Sequence, residues 1–272
     1  MFQLAEDLAK SLAAVGDGLL VVVTGAGISQ ASGISTFRGS EPDAIWKTSD
    51  IALATFDYFQ RDPVGQWQWY LKRFAAVRDA EPNSAHLALV DLESWLAARG
   101  GSLRLVTQNI DTLHERAGMR DLIKIHGTAD RLRCSRPGCI HGSPRGSLDL
   151  SQTDFTAFLQ EPEHRHLPRC PECQAVLRAH VLFFDEYYLE HLDYRFAEAE
   201  QLAEEARAVL FIGTSFSVGI TDLYLRAGQR RGIPMLTIDP AASPDQWPGL
   251  RKLTAPAEEL LPAAYALLES LS

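Results

Sequence analysis

The chain has 272 residues, of which 46% are hydrophobic, enough for one large domain and a smaller one around a full core. Its formal net charge of −9 argues against a nucleic-acid footprint, which needs a basic patch or stripe, and suits a cationic partner such as a lysine-bearing peptide. No apolar run approaches the roughly 20 residues of a membrane span, and the first ten residues lack the apolar stretch of a signal peptide, so no membrane is expected and a cytoplasmic location is.

The periodicity predicts an amphipathic helix over about residues 3–14, then a buried parallel strand at Leu19-Leu20-Val21-Val22-Val23. Thr24-Gly25-Ala26-Gly27-Ile28-Ser29 follows directly, with Gly33 and Phe37-Arg38-Gly39 beyond it. Such glycines let backbone approach a pyrophosphate at a helix start. Gln30 stands where a strict dinucleotide fingerprint has its third glycine, so the loop by itself fits a dinucleotide or a plain tight turn.

Residues 40–83 carry Trp46, Phe56, Tyr58, Phe59, Trp67, Trp69, Tyr70 and Phe74 between charges, which reads as a helical insert with an aromatic core. Tyr70 and Arg73 share a helix face at i, i+3 and could together hold a carboxylate; an Arg lying over an aromatic ring is the other reading. A helix over 86–99 puts Leu87, Val90, Leu92, Trp95 and Leu96 on its apolar side, with Gly100-Gly101 as its stop.

The strand Leu103–Val106 ends on Thr107-Gln108-Asn109-Ile110-Asp111, and His126-Gly127 ends the short strand Ile123–Gly127. Polar residues at the carboxyl ends of strands are where open α/β sheets place ligands. Asn109 and Asp111, two apart, point the same way on an extended segment.

Cys134 and Cys139, then Cys170 and Cys173, form two pairs with thirty residues between them. Each pair supplies two thiolates from one knuckle, and four thiolates close the tetrahedral shell of a structural zinc site. Two disulfides are the alternative, disfavoured in a reducing compartment. Leu177–Phe184 then reads as a strand, followed by Asp185-Glu186-Tyr187-Tyr188 and a helix over 194–207. Buried strand and hydroxyl-bearing turn recur at Ala208–Ile212 and Gly213-Thr214-Ser215. A helix over 222–231 precedes Met235–Ile238, the last clear strand, which ends at Asp239, a carboxylate able to accept from ribose hydroxyls; a helix over 257–271 closes the chain. Four or five strands alternating with helices make an α/β protein with a doubly wound parallel sheet.

Together, GAGIS at 25–29, SGI and FRG at 32–34 and 37–39, TQNID at 107–111, HG at 126–127, the cysteine pairs and GTS at 213–215 resemble the sirtuins, of bacterial type. That resemblance, from Gly25 to Pro262, implies a Rossmann-like NAD-binding domain of residues 1–39, 84–127 and 186–272. The smaller domain would join a helical module, 40–83, to a zinc-binding module, 128–185. It implies an NAD-dependent protein-lysine deacylase, with acyl-lysine proteins as partners. By position, Gly25, Ala26, Gly27, Thr36, Phe37 and Arg38 look like the loop over the diphosphate and nicotinamide ribose. Gln108, Asn109 and Asp111 look like the nicotinamide side of the pocket, Gly213, Thr214 and Ser215 like the adenosine-side turn, and Asp239 stands where an Asn is usual. His126 matches the general base. The implied reaction has the acyl oxygen attack the nicotinamide ribose and expel nicotinamide; His126 then activates the 2′-hydroxyl, giving lysine and 2′-O-acyl-ADP-ribose. Thr36, Tyr70 and Arg73 resemble the branch that removes succinyl or malonyl groups, and the acyl-tunnel segment differs in detail at Arg178–Glu186, where Phe184 is expected near substrate. Mono-ADP-ribosyl transfer, NAD hydrolysis or NAD binding without turnover are the competing functions.

Overall fold

The computed structural model describes residues 1–35, 51–241 and 247–270. Helix α1, Phe2–Ala13, buries Ala5, Leu8, Ala9 and Leu12, the one stripe that 3.6 residues per turn brings together. Strand β1, Leu19–Thr24, runs into a 3-10 turn at Ala26–Ser32. Two helices follow: α2, Phe56–Arg61, capped by the Thr55 side chain, and α3, Pro63–Asp79, with Pro63 in its first turn and Asp62 accepting from Gly65 N–H. Helix α4, Ser84–Ala97, leads to β2, Ser102–Thr107; α5, Leu113–Ala117, leads to β3, Leu122–Lys124. Then come β4, Gly127–Cys134, β5, Leu148–Asp149, α6, Thr156–Gln160, and β6, Leu177–Val181. The chain ends with α7, Phe196–Glu205, β7, Ala208–Ile212, α8, Gly219–Arg231, β8, Met235–Ile238, β9, Leu250–Leu253, and α9, Ala257–Ser270.

Six strands form one parallel sheet in the order β3-β2-β1-β7-β8-β9. Alternation along β1 sends Leu20 and Val22 into a core with α1, α4 and α9, and Val21 and Val23 into a second core with α7 and α8. Both faces are covered, so the sheet is doubly wound as expected. The order reverses between β1 and β7, which makes the crevice outside their carboxyl ends the natural ligand position.

A second sheet, β5-β4-β6, is antiparallel. Its Leu132, Leu177, Ala179 and Val181 share a third core with Phe59, Trp67, Tyr70 and Phe74 from α2 and α3. The Trp67 indole N–H donates to the Leu177 carbonyl at 2.8 Å, fastening the helical insert to the cysteine-bearing sheet. Phe59, Trp67 and Phe74 are core, as the sequence suggests, and Tyr70, expected at the acyl group instead, is buried among them; Trp46 lies outside the described residues.

Four local expectations are corrected. Leu87 is 50% exposed, whereas Leu89 is buried, because residues two apart on a helix lie about 200° around it and cannot share a face. The strand at Leu177 stops at Val181, and the one at Ile123 stops at Lys124, short of His126. Met235–Ile238 is not the last strand: Leu250–Leu253 adds a sixth at the sheet edge, its Arg251 and Lys252 hiding it from an apolar pattern.

Candidate active site

Two loops meet at the switch point. Gly27 N–H donates to the Gly213 carbonyl at 2.9 Å, and Gly25 N–H donates to the Ile212 carbonyl at 3.0 Å. A Cβ on Gly27 would lie 2.6 Å from Gly213 Cα, and one on Gly213, where φ is +57°, would lie 2.4 Å from Ile28 N. The absent side chains thus let the turns after β1 and β7 interlock, and these two amides serve the fold. Ala26 begins the 3-10 turn.

The Gln108-Asn109-Asp111 stretch packs against this loop through Ser29. Ser29 Oγ donates to Asp111 Oδ2 at 2.9 Å and accepts from Asn109 Nδ2 at 3.2 Å; Asn109 Nδ2 also reaches the Gly25 carbonyl at 3.2 Å. Asp111 Oδ1 accepts from Leu113 N–H at 3.1 Å. Asn109 and Asp111 do point one way, and the shared hydroxyl is the reason. Gln108 Nε2 donates to Thr214 Oγ1 at 3.1 Å and to the Thr24 carbonyl at 3.2 Å, joining the three strand ends. Ser29 was not among the expected site residues; as a hydroxyl in the glycine loop it was visible, but its two partners lie some 80 residues away.

His126 sits where the chain leaves the parallel sheet for the antiparallel one. Gly127 makes that turn at φ +78°, with the His180 carbonyl 2.2 Å from where a Cβ would stand, so only glycine fits. The imidazole Nδ1 is 2.9 Å from the Gln108 carbonyl and Nε2 is 3.0 Å from Tyr188 Oη. A carbonyl only accepts, so Nδ1 carries the proton and Nε2 presents its lone pair. Burial pushes the imidazole pKa down to about 4, against the raising effect of the Gln108 carbonyl. At neutral pH the ring is therefore a neutral base. Tyr188 lies 62 residues from His126 in the chain, so no local pattern marks it for this place.

Ser215 and Asp239 line a cavity of about 250 Å³ with Phe216, Trp247 and Thr254. A neighbouring cavity of about 280 Å³ is lined by Gly27, Gln30, Gly213 and Glu258. Burial raises the Asp239 pKa, and the Ala241 N–H bound to it at 2.7 Å opposes the rise. Thr36, Phe37 and Arg38 lie outside the described residues.

Tyr70 is buried in the third core, its ring stacked on Phe183 with centroids 6.0 Å apart, and burial pushes its phenol pKa up. The Arg73 guanidinium lies 3.7 Å from the Trp69 ring centroid. Phe184, next to Phe183, faces outward at 44% exposure.

The four cysteine sulfurs lie within 4.8 Å of one another, with Cys134 and Cys173 3.4 Å apart and Cys139 and Cys170 3.7 Å apart. Four sulfurs about 2.3 Å from one ion at tetrahedral angles are separated by about 3.8 Å. Buried Cys134 and Cys170 face half-exposed Cys139 and Cys173. The donor set fits a structural zinc with no position left for substrate. Among the described residues no helix is long and apolar enough to cross a membrane.

A family model described as the Sir2 family matches residues 25–219. An NAD-dependent protein deacylase of Thermus thermophilus is 37% identical over 226 residues, 83% of this chain and 80% of the relative. One from Thermococcus kodakarensis is 42% identical over 197 residues, 72% of this chain and 69% of the relative. Among solved structures, a mutant Sir2 homologue in complex with ADP ribose is 31% identical, with a TM-score of 0.81 over 98% of this chain and 97% of that one. A whole-length likeness in fold, the matched family model and the identity to deacylase relatives agree: the chain belongs to the Sir2 family.

Proposed function

We propose that this protein is an NAD-dependent protein-lysine deacylase, releasing nicotinamide, 2′-O-acyl-ADP-ribose and free lysine. The observation that carries the reading is His126, a neutral base whose Nδ1 proton is held by the Gln108 carbonyl, so that Nε2 is left as the acceptor. Two deacylase relatives and a neighbour solved with ADP ribose support the same reading. NAD, when bound, supplies the ribose that accepts the acyl group.

The chain's residues divide the work. Gly25, Ala26 and Gly27 with Thr36, Phe37 and Arg38 hold the diphosphate side, and Gly213, Thr214, Ser215 and Asp239 the adenosine side. Gln108, Asn109 and Asp111 hold the nicotinamide end; the Ser29 hydroxyl fixes the Asp111 carboxylate so that its remaining lone pairs stay aimed. His126 takes a proton from a ribose hydroxyl at neutral pH, where its pKa leaves it unprotonated. Cys134, Cys139, Cys170 and Cys173 hold zinc and shape the small sheet. Tyr70, Arg73 and Phe184 border the acyl-lysine, with Arg73 steadied on Trp69 as the group for an acidic acyl end.

The test is incubation with NAD and acetyl-, longer-acyl- and succinyl-lysine peptides, with products identified by mass. O-acyl-ADP-ribose is expected. Nicotinamide release with no acylated ADP-ribose overturns the deacylase reading, and ADP-ribosylated protein in its place points to transferase chemistry.

A further inference from the structure

The basic nitrogen of His126 is not open: the Tyr188 hydroxyl covers it at 3.0 Å. The Nδ1 proton, fixed by the Gln108 carbonyl, leaves Nε2 as an acceptor, so Tyr188 is the donor in this contact. Any hydroxyl that is to yield its proton to Nε2 must displace Tyr188 or pass the proton through it.

Displacement works against every contact the phenol ring has. One face of Tyr188 is stacked on Phe196, with centroids 4.6 Å apart and planes 3° apart, and its plane lies within 10° of the His126 ring. The backbone is anchored on both sides. His191 N–H donates to the Tyr188 carbonyl at 3.1 Å, and Tyr187 N–H donates to Glu190 Oε2 at 3.1 Å. Just before them, Glu186 accepts from both terminal guanidinium nitrogens of buried Arg178 and from Phe183 N–H at 2.9 Å. Buried charge-assisted pairs of this kind are costly to break.

We propose that Tyr188 is a proton relay: its hydroxyl proton passes to His126 Nε2 as the Tyr188 oxygen takes the proton of the ribose hydroxyl that attacks the acyl carbon. One O–H bond breaks on the ribose and one re-forms on Tyr188, while the Tyr188 proton makes the new N–H on His126. The proton count balances and the phenol ends neutral. Burial supports the donor role, since it pushes the Tyr188 pKa up to about 12 and keeps the hydroxyl protonated. A phenol so raised also lies closer in acidity to an alcohol, which eases transfer between them.

The inference rests on the deacylase reading, and Tyr188→Phe tests it while keeping the stacked ring. Imidazole nitrogen shifts of the NAD-free variant should show Nε2 losing its hydrogen bond while Nδ1 keeps its own. The rate of O-acyl-ADP-ribose formation should fall about tenfold or more, with nicotinamide exchange and the KM for NAD held within about twofold. The proton inventory in mixed light and heavy water should be curved for the wild type, two protons moving together, and linear for the variant. A linear wild-type inventory overturns the relay, and this measurement does not depend on the variant's folding. An undiminished acyl-transfer rate in Tyr188→Phe overturns it too, as does a lower KM for NAD at unchanged kcat, the mark of a hydroxyl that NAD pushes aside. A wild type that forms no O-acyl-ADP-ribose overturns the deacylase reading itself, and the relay with it.

Discussion

Replacing Gly27 with Ala separates two reasons for a glycine in the first loop. The new methyl would stand 2.6 Å from Gly213 Cα and 2.9 Å from its carbonyl oxygen. Carbon contacts are comfortable only from about 3.5 Å, so the two turns must part by nearly 1 Å. The obstacle is backbone, which no rotamer change relieves. Overpacking of this sort costs about 1–3 kcal/mol. The Gly27 N–H bond to the Gly213 carbonyl, 2.9 Å long, is stretched as well, at about 1 kcal/mol more. The expected loss of stability is about 2–4 kcal/mol, read as a lower urea midpoint at unchanged slope. The strain also reaches the base, because Gln108 joins Thr214 through its amide and His126 through its carbonyl. Calorimetric titration with NAD should therefore show weaker binding alongside the lost stability. A variant within about 0.5 kcal/mol of wild type that binds NAD poorly would refute the interlock, leaving diphosphate access as the glycine's purpose.

Zinc should be present at one ion per chain by metal analysis, and chelation should lower the thermal midpoint; a chelated, metal-free chain that melts unchanged removes the structural assignment. Acid should destabilise the fold through His86, which is fully buried and has its pKa pushed down to about 4 by burial, with the Asp111 charge opposing. Between the ordinary imidazole value near 6.5 and about 4 the unfolded chain binds the extra proton, so stability is full above that window and falls as pH drops through it, by about 3 kcal/mol. Urea midpoints at neutral pH and at the bottom of the window measure the fall, and His86→Gln should lessen it, the remainder belonging to His114, His126 and His180, whose pKa values burial also lowers; an undiminished fall in the variant contradicts the assignment. Arg73→Met should reduce turnover of succinyl-lysine peptide about tenfold more than that of acetyl-lysine peptide, the loss of one charge-assisted hydrogen-bond partner; an equal loss on both shows that Arg73 does not read the acyl carboxylate.

Much of the architecture could be read from local pattern. The strands at Leu19, Leu103, Ala208 and Met235 are short apolar runs closed by glycine or polar turns, a signal that needs no knowledge of neighbours. The cysteine pairs carried their meaning in their spacing, because a knuckle is a local turn. The strand Leu250–Leu253 was missed because an edge strand half in solvent carries charges where a central one carries valines. Leu87 was misassigned because α4 has more apolar residues than one face can bury, and the partner surface alone decides which face turns inward.

The site divides along the same line. Residue types and motif order by themselves determined that a glycine loop and an amide-carboxylate stretch lie at strand ends in an α/β chain whose four cysteines suit zinc. Only the tertiary structure decided what those groups touch. Gly27 meets Gly213, Ser29 joins Asn109 to Asp111, and Tyr188 covers His126, each across tens of residues of chain. Such contacts are made by the reversal of strand order between β1 and β7 and by the turn at Gly127, and a contact between distant segments leaves no periodicity in either segment from which it could be read.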